Sequence, residues 1–180
     1  MEQSTIYLDE TLGLRRDKVL APDNVVLYRK VVQYHPSAAV VALQERTETK
    51  VLLIRHYRYP VGRYLWELPG GMKRPDESLD ACAVREFREE TGYNLGSLRY
   101  LFRFFPEPAF TDQVLTLYSG TLLESSDGSQ AMRAEEEIRG SHLFTIDEAL
   151  QMIETGDVAS SWTVIGLLMA LRDIRRDKGQ

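Results

Sequence analysis

The chain has 180 residues, 43% hydrophobic and 27% charged, with a formal net charge of −5. Those values fit one folded domain with a real core plus a small extension, and they exclude an intrinsically disordered chain. The acid excess excludes a global basic field, so nucleic acid is not an expected partner. With no signal-peptide pattern and no apolar run of about 20 residues, neither is a membrane, and the cytoplasm is the expected location.

Residues 1–36 read as an N-terminal β extension of alternating polar and apolar residues. A turn falls at Ala21-Pro22-Asp23-Asn24, and Val25–Val32 is a strand rich in β-branched residues. His35-Pro36 breaks it. The extension holds too few apolar residues to be a domain alone, and it packs on the main body or on a second subunit. Residues 37–180 are the main domain. Ala38–Leu43 and Val51–Ile54 are continuous apolar runs, which marks them as buried strands of a hairpin closed by the polar turn 45–50. Tyr64–Leu68 is extended and leads into Pro69-Gly70-Gly71. A helix is predicted from the N-cap Ser78 to Gly92, a residue suited to the left-handed stop. Strands follow over Arg99–Phe105 and Val114–Leu122, then a flexible loop at 125–129 and a strand over Ser141–Phe144. Thr145 caps a helix over Asp147–Glu154, and Ser160 or Ser161 opens a last helix to about Arg175. This order predicts a mixed sheet with few helices, an α/β or α+β layered domain.

The helix after the glycines carries the chemistry. On it Glu86, Glu89 and Glu90 fall within an arc of roughly 100°. Leu79, Ala83, Val84 and Phe87 offer a neighbouring apolar stripe to the sheet. Like charges at this spacing repel by a few tenths of a kcal/mol per pair, and a divalent cation reverses the repulsion. Mg²⁺ is hard, prefers oxygen, and is held by one or two carboxylates plus substrate phosphate. The alternative is a solvated charged face laced by pairs such as Arg85–Glu89. The preceding Gly70-Gly71, which lets backbone approach a ligand closely, weighs against that alternative. Cys82 reads as a small packing residue of this helix, since no histidine or cysteine partner sits at ligand spacing. His142 reads as structural.

These residues match the box of the Nudix hydrolases, Gly-x5-Glu-x7-Arg-Glu-apolar-x-Glu-Glu-x-Gly-apolar. Gly71, Glu77, Arg85, Glu86, Glu89, Glu90 and Gly92 fill its fixed positions, with Phe87 and Tyr93 at the apolar ones. Tyr93 replaces the usual aliphatic residue there. The resemblance implies an α/β/α sandwich around a mixed sheet, and hydrolysis of a nucleoside diphosphate linked to a further group. It makes Glu86 and Glu90 the principal metal ligands, with Glu89 bridging or supporting and the Gly70 carbonyl adding a ligand. Arg85 and Glu77 then orient the carboxylates around Mg²⁺, with Mn²⁺ as a substitute.

Leu53–Pro60 and Trp66–Gly71 resemble the branch that cleaves ADP-ribose and nucleoside diphosphate sugars to a nucleoside monophosphate and a sugar phosphate. In that branch an arginine at the place of Arg58 meets the diphosphate. Glu67 supports substrate binding or forms a structural ion pair. Pro106-Glu107-Pro108-Ala109-Phe110 occupies a loop that shapes substrate choice, with Ala109 in place of the usual glycine. Phe110 stacks on base or sugar, or anchors the loop. The resemblance draws a general base from the acidic stretch 133–139, with Glu136 the first candidate and Glu135 the second. It also implies a homodimer paired through the N-terminal strands, with Tyr28, Tyr34 or His35 lining the nucleobase site. Rival readings are hydrolysis of dinucleotides or coenzyme A, and a ligand sensor without catalysis.

Overall fold

Strand β4 (Ser37–Glu45) is buried on both faces, and the two layers of the molecule are built from its two sides. The computed structural model describes residues 2–123, 138–177 and 179. Around β4 lie β5 (Thr49–Arg58), β6 (Arg63–Glu67), β7 (Gly70–Met72), β8 (Leu95–Phe104), β9 (Leu115–Leu122) and β10 (Ile138–Thr145). Their order is β10-β5-β4-β9-β8, with β6 added on β5 and β7 on β4. The β4–β9 pair is parallel and the other pairs are antiparallel, so the sheet is mixed as expected.

Alternation along the central strands separates two cores. Ala38, Val40 and Ala42 of β4 pack with Cys82, Ala83 and Phe87 of helix α1 (Leu79–Thr91). Ala39 and Val41 face the other way, toward Ile146 and Ala149 of α2 (Ile146–Thr155) and Leu167 and Ala170 of α3 (Ser161–Asp177). This double burial is why the strand reads as an unbroken apolar run. The α/β/α sandwich expected from the resemblance is the observed architecture.

Local signals fix the helix ends. The Ser78 side chain accepts from the Ala81 N–H, and Gly92 ends α1 in the left-handed region at φ 73°. Thr145 opens α2 with a full capping box, receiving the Glu148 N–H while the Glu148 carboxylate receives the Thr145 N–H. One expectation fails on α1. Val84 is 44% exposed, and Cys82 takes its place in the apolar stripe. The buried residues Cys82, Ala83, Glu86, Phe87 and Glu90 follow the i, i+3, i+4 rhythm, and Val84 lies off that arc.

The edge of β4 is shared. Its C-terminal part, Leu43–Glu45, pairs with β5, whereas Ser37–Ala39 pairs with Met72–Gly70 of β7. The chain that leaves β6 therefore re-enters beside the start of β4, and Val40 N–H donates to the Pro69 carbonyl between the two. This split sets Gly70 and Gly71 in front of α1.

The N-terminal extension is a separate antiparallel sheet of β1 (Glu2–Leu8), β2 (Leu12–Leu20) and β3 (Val26–Tyr34). Every residue of β1 is exposed. The sheet is tied to the main body at the loop before β9. Val32 N–H donates to the Phe110 carbonyl, Asp112 N–H donates to the Val32 carbonyl, and Arg15 bridges Asp17 and Asp112. Among the described residues no helix is long and apolar enough to cross a membrane.

Candidate functional site

A cleft of about 1030 Å³ opens where β4, β7 and α1 meet the edge of the N-terminal sheet. Gly70, Gly71, Arg85, Glu86 and Glu90 line one part of it, and Arg58, His56 and Trp162 line another. Tyr34, His35 and Phe110 stand at the N-terminal side.

Both glycines are there because backbone and carboxylates approach too closely for a side chain. A Cβ on Gly70 would lie 2.4 Å from the Ala38 carbonyl oxygen of β4. A Cβ on Gly71 would lie 2.6 Å from the carboxyl carbon of Glu86. The Gly70 N–H donates to Glu90 Oε2 at 2.7 Å, so β7 positions the second carboxylate directly. Glu86 and Glu90 are only 8% and 4% exposed, yet both reach the cleft.

Arg85 joins the remaining acids. Its Nε donates to Glu77 at 3.0 Å and its Nη2 to the other Glu77 oxygen at 2.6 Å. Nη1 serves Glu86 and, at 2.9 Å, Glu89, while Nη2 also reaches the Met72 carbonyl at 3.1 Å. Arg85 holds the Glu77 carboxyl at about 2, far below its usual range, and the arginine is itself pushed up, chiefly by Glu77. The pairs that would make this a merely charged face are therefore present, but they run inward and tie the loop 72–77 to α1. Glu77 and Glu89 do not line the cleft themselves and meet it through Arg85 and Arg74, whose N–H donates to Glu77 at 2.7 Å and whose Nη2 reaches Glu89 at 3.4 Å.

Arg58 and Glu67 pair with each other. Arg58 donates from Nε to both Glu67 oxygens, and from Nη2 to Oε2. Glu67 is 1% exposed and does not line the cleft, so it acts behind Arg58 as an ion-pair partner. The Trp162 ring lies 5.5 Å from the Arg58 guanidinium carbon. Phe110 is exposed at the rim. Tyr28 is outside the cleft, under the Arg16 guanidinium. Glu135 and Glu136 lie outside the described residues. His142 sits among Trp66 and Phe144 in an aromatic group. Cys82 is buried and its thiol is pushed up to about 12, chiefly by burial, as suits a packing residue.

The sequence reading missed His56 and Trp162 as cleft residues. His56 had a signal, since it lies two residues before Arg58 on one strand and hence on the same face. Trp162 had none, because only tertiary packing brings the start of α3 beside β5. Tyr118 was also missed: its hydroxyl donates to Asp80 in the first turn of α1 and ties that helix to β9.

The donor set suits a hard divalent cation. Among the described residues no three acidic, histidine or cysteine side chains converge as a finished ligand cage. An ion that keeps several waters and uses substrate phosphate needs only one or two carboxylates, and Glu86 and Glu90 line this cleft.

A mixed sheet between helical layers, with a glycine–carboxylate–arginine cluster lining a cleft, is the arrangement that the resemblance to the Nudix hydrolases implies. Residues 33–162 match the NUDIX domain, and the chain belongs to that family. Over 162 residues it is 30% identical to a methanol dehydrogenase activator of Bacillus methanolicus, covering 90% of this chain and 86% of that protein. Over 169 residues it is 28% identical to an ADP-ribose pyrophosphatase of Mycobacterium tuberculosis, covering 93% and 80%. A GDP-mannose pyrophosphatase of Citrobacter koseri is 26% identical over 148 residues, covering 79% and 77%. The family read from the box is thus borne out. Nudix hydrolases generally need divalent metal ions, in keeping with the oxygen donors of this cleft.

Proposed function

We propose that this Nudix hydrolase is a Mg²⁺-dependent pyrophosphatase of nucleoside diphosphate sugars such as ADP-ribose, giving a nucleoside monophosphate and a sugar phosphate. The observation that carries the reading is that the buried Glu86 and Glu90 line one cleft together with Arg58. The names of the ADP-ribose and GDP-mannose pyrophosphatase relatives support it. Water attacks one phosphorus, a new P–O bond forms, and the bond from that phosphorus to the bridging oxygen breaks.

Glu86, Glu90 and the Gly70 carbonyl would hold Mg²⁺, with Mn²⁺ as a substitute and Glu89 in support. The bound ion supplies charge neutralisation and polarisation of the diphosphate. Arg85 keeps Glu86 and Glu89 in place, and Glu77 keeps Arg85 in place. Arg58, oriented by Glu67, clamps phosphate oxygens. Glu136, or Glu135 next to it, takes the proton of the attacking water. Phe110 stacks on base or sugar, and Tyr34 and His35 border the nucleobase end. Exposed Ile6, Tyr7, Leu8, Leu20 and Tyr28 support a role for residues 1–36 in pairing two copies, and sedimentation would detect the dimer. The protein would work in the cytoplasm.

The test is turnover with Mg²⁺ on ADP-ribose, ADP-glucose, GDP-mannose, UDP-glucose, dinucleotides and coenzyme A. Release of a nucleoside monophosphate from a diphosphate sugar is expected. Preference for a dinucleotide or coenzyme A, or binding without turnover, refutes the reading. Glu90→Gln keeps an acceptor for the Gly70 N–H but loses the charge. Its rate should fall by several orders of magnitude with the fold retained, and near-normal activity removes Glu90 from the metal site.

A further inference from the structure

His56 carries a buried polar atom that the fold leaves unexplained. Its Nδ1 is sealed from solvent and has no hydrogen-bond partner among the described residues, although the residue lines the cleft. An unpaired buried N–H is rarer than an unpaired acceptor, so the proton belongs on Nε2, the nitrogen left to face the cleft. Burial, with the nearby Arg58 cation, holds the imidazole down at about 4. The ring is therefore neutral at pH 7 and has a single donor to offer.

Arg58 sets the demand for that donor. It commits Nε and Nη2 to Glu67, which leaves Nη1 outside the pair. A bound diphosphate brings several anionic oxygens to this wall. A second cation beside Arg58 would repel it, whereas a neutral N–H on the same strand face satisfies another oxygen without added charge. We propose that His56 is a substrate-binding residue whose Nε2–H donates to a non-bridging diphosphate oxygen beside those met by Arg58. The assignment rests on the diphosphate-hydrolase reading above.

Steady-state kinetics of His56→Gln, His56→Asn and His56→Leu test it, on whichever panel compound the wild type cleaves best. The amide nitrogen of glutamine reaches the place of Nε2, and that of asparagine the place of Nδ1. His56→Gln should keep KM within about threefold. His56→Asn and His56→Leu should raise KM on the order of ten- to a hundredfold, the worth of a hydrogen bond to a charged group, with kcat little changed. The melting temperature of His56→Leu should not fall, because the substitution removes a buried unpaired nitrogen. Wild-type kinetics in all three variants overturn the proposal while the hydrolase reading stands. So does a Gln variant as impaired as Leu, or a loss that tracks melting temperature. A wild type that cleaves nothing on the panel overturns both.

Discussion

Replacing Arg85 by methionine keeps most of the aliphatic stem and deletes the guanidinium. Glu77, Glu86 and Glu89 then lose their shared partner, with the four side chains only 11–23% exposed. Breaking a buried ion pair costs about 3–5 kcal/mol, and the partial exposure here favours the lower end, about 3 kcal/mol. For a chain of this size that lowers the melting temperature by about 6–12 °C. Urea unfolding between pH 7 and pH 3 gives the assay. Arg85 lowers the folded Glu77 carboxyl from its usual 4.5 to about 2. The stability it confers is thus complete above pH 4.5 and is lost as the pH falls toward 2. The gap between wild type and Arg85→Met should therefore narrow on acidification across that window. A gap below about 1 kcal/mol at pH 7, or one unchanged between pH 6 and pH 3, refutes the view of Arg85 as the cation that holds the acidic cluster together.

The adjacent glycines separate fold from site. Gly70→Ala sets its Cβ against the β4 backbone and should give little soluble protein, whereas Gly71→Ala meets only the end of the Glu86 side chain. Gly71→Ala should fold, melt within a few degrees of wild type and lose most activity; normal turnover would show that the Glu86 position is not critical. Thr145→Ala removes the capping box of α2, away from the cleft, and should cost about 1 kcal/mol in urea unfolding with kcat/KM unchanged.

What the sequence made legible was local. Ser78, Gly92 and Thr145 mark helix ends through bonds to their own neighbours, and the acidic helix shows its spacing within one short window. The unbroken run of β4 announced burial on both faces. The rest depends on contacts between distant segments. Val84 reads as core until the facing sheet fixes the rotation of α1. Glu67 reads equally well as ligand or ion-pair partner until β5 and β6 lie in register, with Arg58 turned onto it. Strands β1 and β2 are almost wholly exposed or half-exposed, so burial left little alternation to read. Trp162 joins the cleft because α3 packs on the sheet and starts just past the end of β6, where Thr163 Oγ1 accepts from the Leu68 N–H.

The tether through Val32, Arg15 and Asp112 makes the small sheet part of the rim of the cleft. Two backbone hydrogen bonds and an ion pair join the small sheet to the loop that carries Phe110, whereas the glycine–carboxylate floor is built by β7 and α1. A lineage can thus drift in what it admits at the rim while the hydrolytic floor stays constant. A graft of residues 1–34 from a relative would be expected to carry selectivity with it and leave the bond-breaking step behind.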